Sequence, residues 1–497
     1  MKKIFLFAVI ATLSINSVYA KLLNNKTALL LLNEVYAQHK ISPLKNYLIT
    51  GNGLHRNDDH LPRPDILNEY AYSFSIKTDV DNNQYDYQQV FTKKNTDVEQ
   101  HYKSTYKNDQ EYSLNNNSQE YIKTHPNNNA ANVLRFAYLN PSTLLAYLIR
   151  HIHEASIIKT ESEDTFIYKF EFENQEQWQL EISKSSLLCK SFSRKYFHYL
   201  YGDVIESISW SNYINSPLGN FAREVMIKNN NYTSYHYTQE LQLLSDQHSI
   251  NILDSNLKTA KEKIQKDRII DVNNIEFNVI SNNLYEILLE ETNNRLIVAE
   301  FQNFIILLEG SYHSKNGDMI IEYLKQKFPD KPIKYSSYSH GHKQYLGFSR
   351  SFVANNTTIV TTQSNQNFIK KISDNDFSLR PDQQGKSKFN PRFEVLNNNR
   401  WSIKDKLNEL YIYNINSNHT DDYLVFYFPM QKLLFVGDLL WVKDNGDKTV
   451  ELSGRSANFY NEVINKLKLE VDRFYISWPI KGYQIKTVID FNLILIL

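Results

Sequence analysis

The pair His340-Gly-His342 stands where an apolar, strand-forming run ends, with a third histidine at His419 and a Gly437-Asp438 step downstream. Imidazole and carboxylate are among the side chains that hold zinc, which takes about four ligands and in catalytic sites keeps one position open for water. An H-x-H on extended backbone can aim both rings at one ion if the loop twists, and Gly341 permits backbone angles that a β-carbon forbids. The same spacing at His151-Ile-His153 falls on a predicted helix, where i and i+2 diverge, so that pair reads as structural or solvated. His55-Arg-Asn-Asp-Asp-His60 follows Gly51 and Gly53 and precedes Pro62 and Pro64, and it reads as a solvated polar loop. His313 sits near a strand end with no motif around it. Cys189 is the sole cysteine; it can form no internal disulfide and reads as a buried strand position.

The elements that must position these groups follow from hydrophobic periodicity. Ile275–Val279, Leu284–Leu289, Leu296–Phe301 and Phe304–Glu309 are short strands joined by Asn-rich turns. Asn316–Phe328 reads as a helix, and Ile333–Tyr338 as the strand that delivers His340. Phe348–Thr362 reads as helix, turn and strand. His419 leads into an alternating strand ending at Pro429, and after the turn Met430-Gln-Lys432 the run from Leu433 hands Asp438 to its end.

Upstream the pattern differs. Lys26–Ala37 is helical, Gly51 through Pro62 a loop, and Tyr70–Lys77 a half-buried strand. Residues 95–130 are polar, and Asn132–Ile152 carries Leu144, Leu145, Leu148 and Ile152 at helical spacing. Four runs, Phe166–Phe172, Trp178–Phe192, Asp203–Tyr213 and Phe221–Leu244, predict an antiparallel meander. Ser249–Asp271 is a charged, helix-prone connector, and the chain closes on the apolar Phe491–Leu497.

At 497 residues the chain exceeds one ordinary core. Its 55 basic and 55 acidic residues balance, which excludes the electrostatic footprint of a nucleic-acid or anionic-membrane binder. Met1-Lys-Lys3, the apolar Ile4–Leu13 and Val18-Tyr-Ala20 compose a secretory signal peptide, too short to be a spanning helix. A mature protein beginning at Lys21, periplasmic or secreted and with no stable membrane span, is expected. The expected organisation is signal 1–20, β-rich accessory domain with helices 21–250, linker 251–272 and a C-terminal domain 273–497.

The order H-x-H, helix, strand, His-Thr, strand, Pro, turn, strand, Gly-Asp resembles the metallo-β-lactamase superfamily over the C-terminal half. The resemblance implies an α+β protein: an αββα sandwich over 273–497, preceded by the β-rich domain. It implies that His340, His342 and His419 match the three ligands of a first zinc, and Asp438 the carboxylate that normally bridges two metals. Gln344 and Tyr345 stand where the family places an Asp and a His for the second ion. Lys481, in Trp478-Pro-Ile-Lys-Gly482, stands where it places a last histidine, and would repel a second ion or pair with Asp438. The expectation is at most one zinc, with Asp438 as fourth ligand or catalytic base, in a hydrolase of an ester- or amide-type small-molecule or lipid substrate. A non-catalytic protein that keeps the fold for binding or assembly is the alternative. Tyr201–Tyr213 also resembles the curved sheet of periplasmic lipoprotein carriers, which implies lipid binding if that sheet encloses an apolar cavity.

Overall fold

The computed structural model describes residues 21–494 except 40–45, 59–60, 64–65, 80–83, 95, 97, 108–109, 115–119, 124–139, 173–175, 217–218, 231, 245–260, 263–267 and 447–448. The signal-like segment, Asp59 and His60, most of the charged connector and the last three residues lie outside the described residues.

In the C-terminal part, apolar strands are buried on both faces because each sheet lies between its partner sheet and a layer of helices. The first sheet has seven strands in chain order, Glu276–Ser281, Leu284–Leu289, Asn294–Glu300, Ile305–Leu308, Ile333–Ser337, Thr358–Thr361 and Arg392–Val395, with the last four parallel. The second has six, Arg400–Lys404, Glu409–Ile415, Tyr423–Phe428, Leu433–Val436, Arg473–Ile476 and Val488–Asp490.

Side chains alternate across each strand and so divide between two cores. Ile305 and Leu307 pack with Ile320, Leu324, Phe352 and Ile369 of the outer helices, while Ile306 and Leu308 meet Ile412, Phe426 and Phe435 of the facing sheet. Likewise Leu424, Phe426 and Phe428 face the first sheet, and Val425 and Tyr427 pack with Phe459 and Val463. Each fully buried aliphatic or aromatic side chain contributes roughly 1.5–3 kcal/mol. Arg295 ties the sheets together from within: its guanidinium binds Glu286 at 2.7 Å and the carbonyls of Ile476 and Thr487 at 2.7 and 2.8 Å. The result is a helix–sheet–sheet–helix sandwich in an α+β chain.

Among the described residues, the N-terminal part is one fifteen-stranded sheet. Strands from Ala155–Glu161 through Tyr232–Leu243 form a meander, against whose last strand Tyr47–Asn57 pairs antiparallel. Helices Asn25–His39 and Pro141–His151 cover one face, where Leu32, Val35, Leu144 and Leu148 pack with Trp178, Phe192 and Phe221. The second helix starts at a proline, with Asn140 accepting the Ser142 amide at 2.8 Å as its cap.

Several sequence expectations need correction here. The stretch from Gly51 is strand to Asn57, because its glycines serve close packing: a β-carbon on Gly53 would lie 2.1 Å from the His236 carbonyl oxygen. The polar stretch 95–130 contains strands Glu99–Lys107, Gln110–Leu114 and Tyr121–Lys123, whose polarity reflects exposure towards one end of the sheet. Trp178–Phe192 breaks into two strands at Lys184–Leu188, where Leu187 takes a positive φ of 55°. Phe221–Leu244 breaks at Asn230, also at positive φ. Lys261–Glu262 of the connector is extended and pairs with Ile122–Lys123. Among the described residues, no helix is long and apolar enough to cross a membrane.

Candidate metal centre

Strand Ile333–Ser337 ends three residues before His340, and His342 opens the short helix Lys343–Leu346 in extended conformation. His419 lies in a turn closed by Ser417, whose hydroxyl donates to the Thr420 carbonyl at 2.7 Å. The two loops are joined where the Leu424 amide donates to the Ser339 carbonyl at 2.6 Å. Asp438 follows strand Leu433–Val436 across Gly437, where a β-carbon would lie 2.4 Å from both Ser339 Oγ and the Tyr423 hydroxyl.

These loops bring the four side chains together, with one candidate ligand atom from each of His340, His342, His419 and Asp438 within 4.8 Å of the others. His340 Nε2 lies 2.8 Å from His342 Nδ1 and 3.8 Å from Asp438 Oδ1, and His419 Nε2 lies 3.5 Å from Asp438 Oδ2. His340 Nδ1 is engaged by Ser339 Oγ at 2.9 Å, which leaves Nε2 for the cluster. Burial, with the adjacent His342 imidazole, holds His340 well below its usual range, so the ring is neutral, the form that ligates metals. Burial opposes the charge on Asp438, but His340, His419 and His342 outweigh it and keep this carboxyl well below the usual carboxylate range.

At the positions the resemblance assigns to a second ion, the chemistry is different. Gln344 is half-buried, and its backbone carbonyl accepts the Tyr312 amide at 2.9 Å. Tyr345 is buried with its ring 4.6 Å from that of His340, and its hydroxyl makes no hydrogen bond among the described residues. Lys481 neither faces the cluster nor pairs with Asp438, contrary to the sequence expectation. Its amide and that of Ile480 donate to Asn293 Oδ1, and its ammonium, half-exposed, pairs with Glu290. A strongly hydrated charge on a flexible stem reaches a surface carboxylate at far lower desolvation cost than a buried one.

The other candidates lie apart from the cluster. His313 packs on Tyr199 with ring centres 5.1 Å apart, and His151 binds Glu154 at 2.9 Å. His55 is not in a solvated loop but buried in strand Tyr47–Asn57, stacked on Tyr235 with Nδ1 3.1 Å from the Ser234 carbonyl oxygen. Cys189 is buried, its amide donating to His39 Nε2 at 2.9 Å, and burial pushes its thiol up, away from a reactive thiolate.

Sequence reasoning missed two residues that support the cluster. The Tyr423 ring stacks on His340 at 4.6 Å, and its hydroxyl both donates to Asp438 Oδ1 and accepts the Asp438 amide. Glu309 is fully buried at a positive φ of 72°, facing Ser339; burial raises its carboxyl to about 8, with Ser339 opposing the rise and Asp438 adding to it. An ionisable residue closing the apolar run Phe304–Leu308 was the available signal for Glu309. The N-terminal sheet also reaches both loops: Asp58 pairs with Lys343 at 2.7 Å, and the Pro62 carbonyl accepts the Asp421 amide at 2.8 Å.

The helix–sheet–sheet–helix sandwich thus gathers three imidazoles and a carboxylate at its strand ends, a group able to hold a metal ion. Over its C-terminal half the chain resembles metallo-β-lactamase-fold proteins. Among solved structures, it is similar to a metallo-β-lactamase from Pontibacter korlensis, at 14% identity over 44% of this chain and 94% of that one, with a TM-score of 0.31. It is similar to the mono-zinc form of the metallo-β-lactamase FIM-1 from Pseudomonas aeruginosa, at 15% identity over 46% and 93%, TM-score 0.32. A third is the metal-soaked Flv1 flavodiiron core from Synechocystis sp. PCC6803, at 12% identity over 45% and 59%, TM-score 0.33. No protein-family model and no curated protein matches the chain.

Proposed function

We propose that the chain is exported, holds one zinc ion through His340, His342, His419 and Asp438, and hydrolyses a small ester- or amide-type substrate. The observation that carries this reading is the cluster itself, with four ligand atoms within 4.8 Å and three of its four residues buried. The donor set fits a cation: His419 Nε2 lies 3.5 Å from an oxygen of the ionised Asp438, and His340 is neutral. Bound zinc would supply a Lewis acid and an acidified water nucleophile.

The chain's own residues do the rest. Ser339 fixes the His340 tautomer, and Tyr423 orients Asp438 to serve as fourth ligand or as the base that takes a proton from the attacking water. A phenol at Tyr345 and an amide at Gln344 offer a second ion neither imidazole nor carboxylate, which limits the site to one. Elemental analysis of the purified chain, with ester and amide hydrolysis compared between it and His340→Ala, tests the reading; zinc without turnover of any substrate would favour a binding or assembly protein that keeps the fold. The lipid-carrier reading has less support, because Trp178, Phe192 and Phe221 pack against helices on the covered face of the N-terminal sheet. Export rests on residues 1–20, and N-terminal sequencing of the mature protein should read Lys-Leu-Leu-Asn-Asn.

A further inference from the structure

One segment of the N-terminal part touches the chain beside two of the four candidate ligands. Asp58, directly after strand Tyr47–Asn57, pairs at 2.7 Å with Lys343, the residue that follows His342. Further along, the Pro62 carbonyl accepts the Asp421 amide at 2.8 Å, just beyond His419. The two imidazoles flanked in this way have ring centres 4.7 Å apart. The sandwich itself holds the other two ligands, His340 through Ser339 and Asp438 through Tyr423.

The segment reaches the loops from a seated frame. Tyr201, at the hairpin tip of the sheet, donates its hydroxyl to Asp58, and the Lys343 ammonium lies 5.7 Å from the centre of its ring. Leu200 beside it is buried in the core of the first C-terminal sheet, and the Asp203 carboxylate accepts the Leu379 amide at 3.2 Å. The Asp58 and Lys343 side chains are each 18% exposed, so solvent screens their attraction only in part. Lys343 is also the first residue of helix Lys343–Leu346, so holding its side chain restrains the backbone that aims His342.

We infer, resting on the zinc reading above, that Asp58 is a positioning residue of the metal centre: with the Pro62 carbonyl it braces the loops of His342 and His419 against each other. The N-terminal sheet thereby completes the site. A brace and a bare electric field have different consequences. Removing the Lys343 ammonium relieves repulsion of a bound cation, whereas removing the Asp58 carboxylate loses attraction, so a field alone shifts affinity in opposite directions. Loss of a brace weakens binding in both cases. The test is the zinc affinity of the full chain, by competition with a chromogenic chelator, in Asp58→Asn, Lys343→Met and the double variant. Each single change should weaken zinc about tenfold, as loss of a group that orients a ligand does, and the double variant no further than either. Lys195→Met breaks a different contact of the sheet, with Asp376 at 3.1 Å, which neighbours neither ligand loop in the chain, and should leave affinity within about twofold. At saturating cobalt, the visible absorption bands of Asp58→Asn should shift from those of the parent, a change in ligand geometry that lowered stability alone does not produce. Unchanged affinity in both single variants, changes of opposite sign, or an equal loss in Lys195→Met would overturn the brace and leave the zinc reading intact. A parent chain that takes up no zinc would remove that reading and the brace with it.

Discussion

Tyr423 and Asp438 hold each other by two hydrogen bonds: the Asp438 amide donates to the tyrosine hydroxyl at 2.7 Å, and that hydroxyl donates to Asp438 Oδ1 at 3.1 Å. The same ring lies over His340 with planes 18° apart, so one side chain positions two candidate ligands. Tyr423→Phe keeps the stacking and removes both bonds. It should weaken zinc binding about 10–100-fold while leaving the number of ions per chain unchanged, as loss of a group that orients a ligand does. Competition with a chromogenic chelator measures this; an unaltered affinity would show that Asp438 is not held for metal.

Glu309 predicts a pH dependence of stability in the metal-free protein. A glutamate ionises near 4.3 in an unfolded chain, whereas the folded value here is raised to about 8 by burial. Between these values the folded state binds the extra proton, so its stabilising contribution is complete below the unfolded value and is lost as pH rises through the folded one. Stability should fall by about 1.4 kcal/mol per pH unit across that window. Urea unfolding between pH 5 and 8 should reveal this slope, and Glu309→Gln should flatten it. A stability that rises with pH in both proteins would refute the assignment.

Gly202 opens the strand after the hairpin tip by which the N-terminal sheet meets the C-terminal part. It sits at a φ of 71°, and a β-carbon there would fall 2.1 Å from the Asp376 carbonyl oxygen, beside the ring of Phe377. Leu200, at the same tip, is buried in the core of the first C-terminal sheet and its helices. Gly202→Ala should cost at least about 1–3 kcal/mol through backbone strain and clash. Denaturant midpoints compared at equal slope give the value, and a neutral result would mean that the tip is not seated there.

Lys481→Ala should leave zinc affinity within about twofold, because the ammonium pairs with Glu290 and adds nothing to the field at the cluster. A large gain in affinity on removing this charge would place Lys481 beside the cluster.

The divided reach of sequence reasoning follows from which interactions are local. Alternation marks the strands around His340, His419 and Asp438 because buried strands must present apolar groups to two cores at period two. The direction of Lys481 was not legible, since it is settled by Glu290 and Asn293, far away in the chain. Gly51 and Gly53 resemble loop residues in isolation; only the neighbouring strand, with His236 and Thr238 pressing against them, makes them strand residues. The polar strands after residue 95 carry no apolar alternation because they lie where little of the sheet is covered. Glu309 was visible as an anomaly, but its partner Ser339 lies beyond an intervening helix and strand.

The central claim is that three histidines and one aspartate hold a single zinc. Elemental analysis of the purified chain, dialysed against trace zinc, measures it directly. The account predicts one zinc per chain, lost on His340→Ala and retained on Lys481→Ala. Two ions per chain would contradict the single-metal centre, and none at all would contradict the metal centre itself.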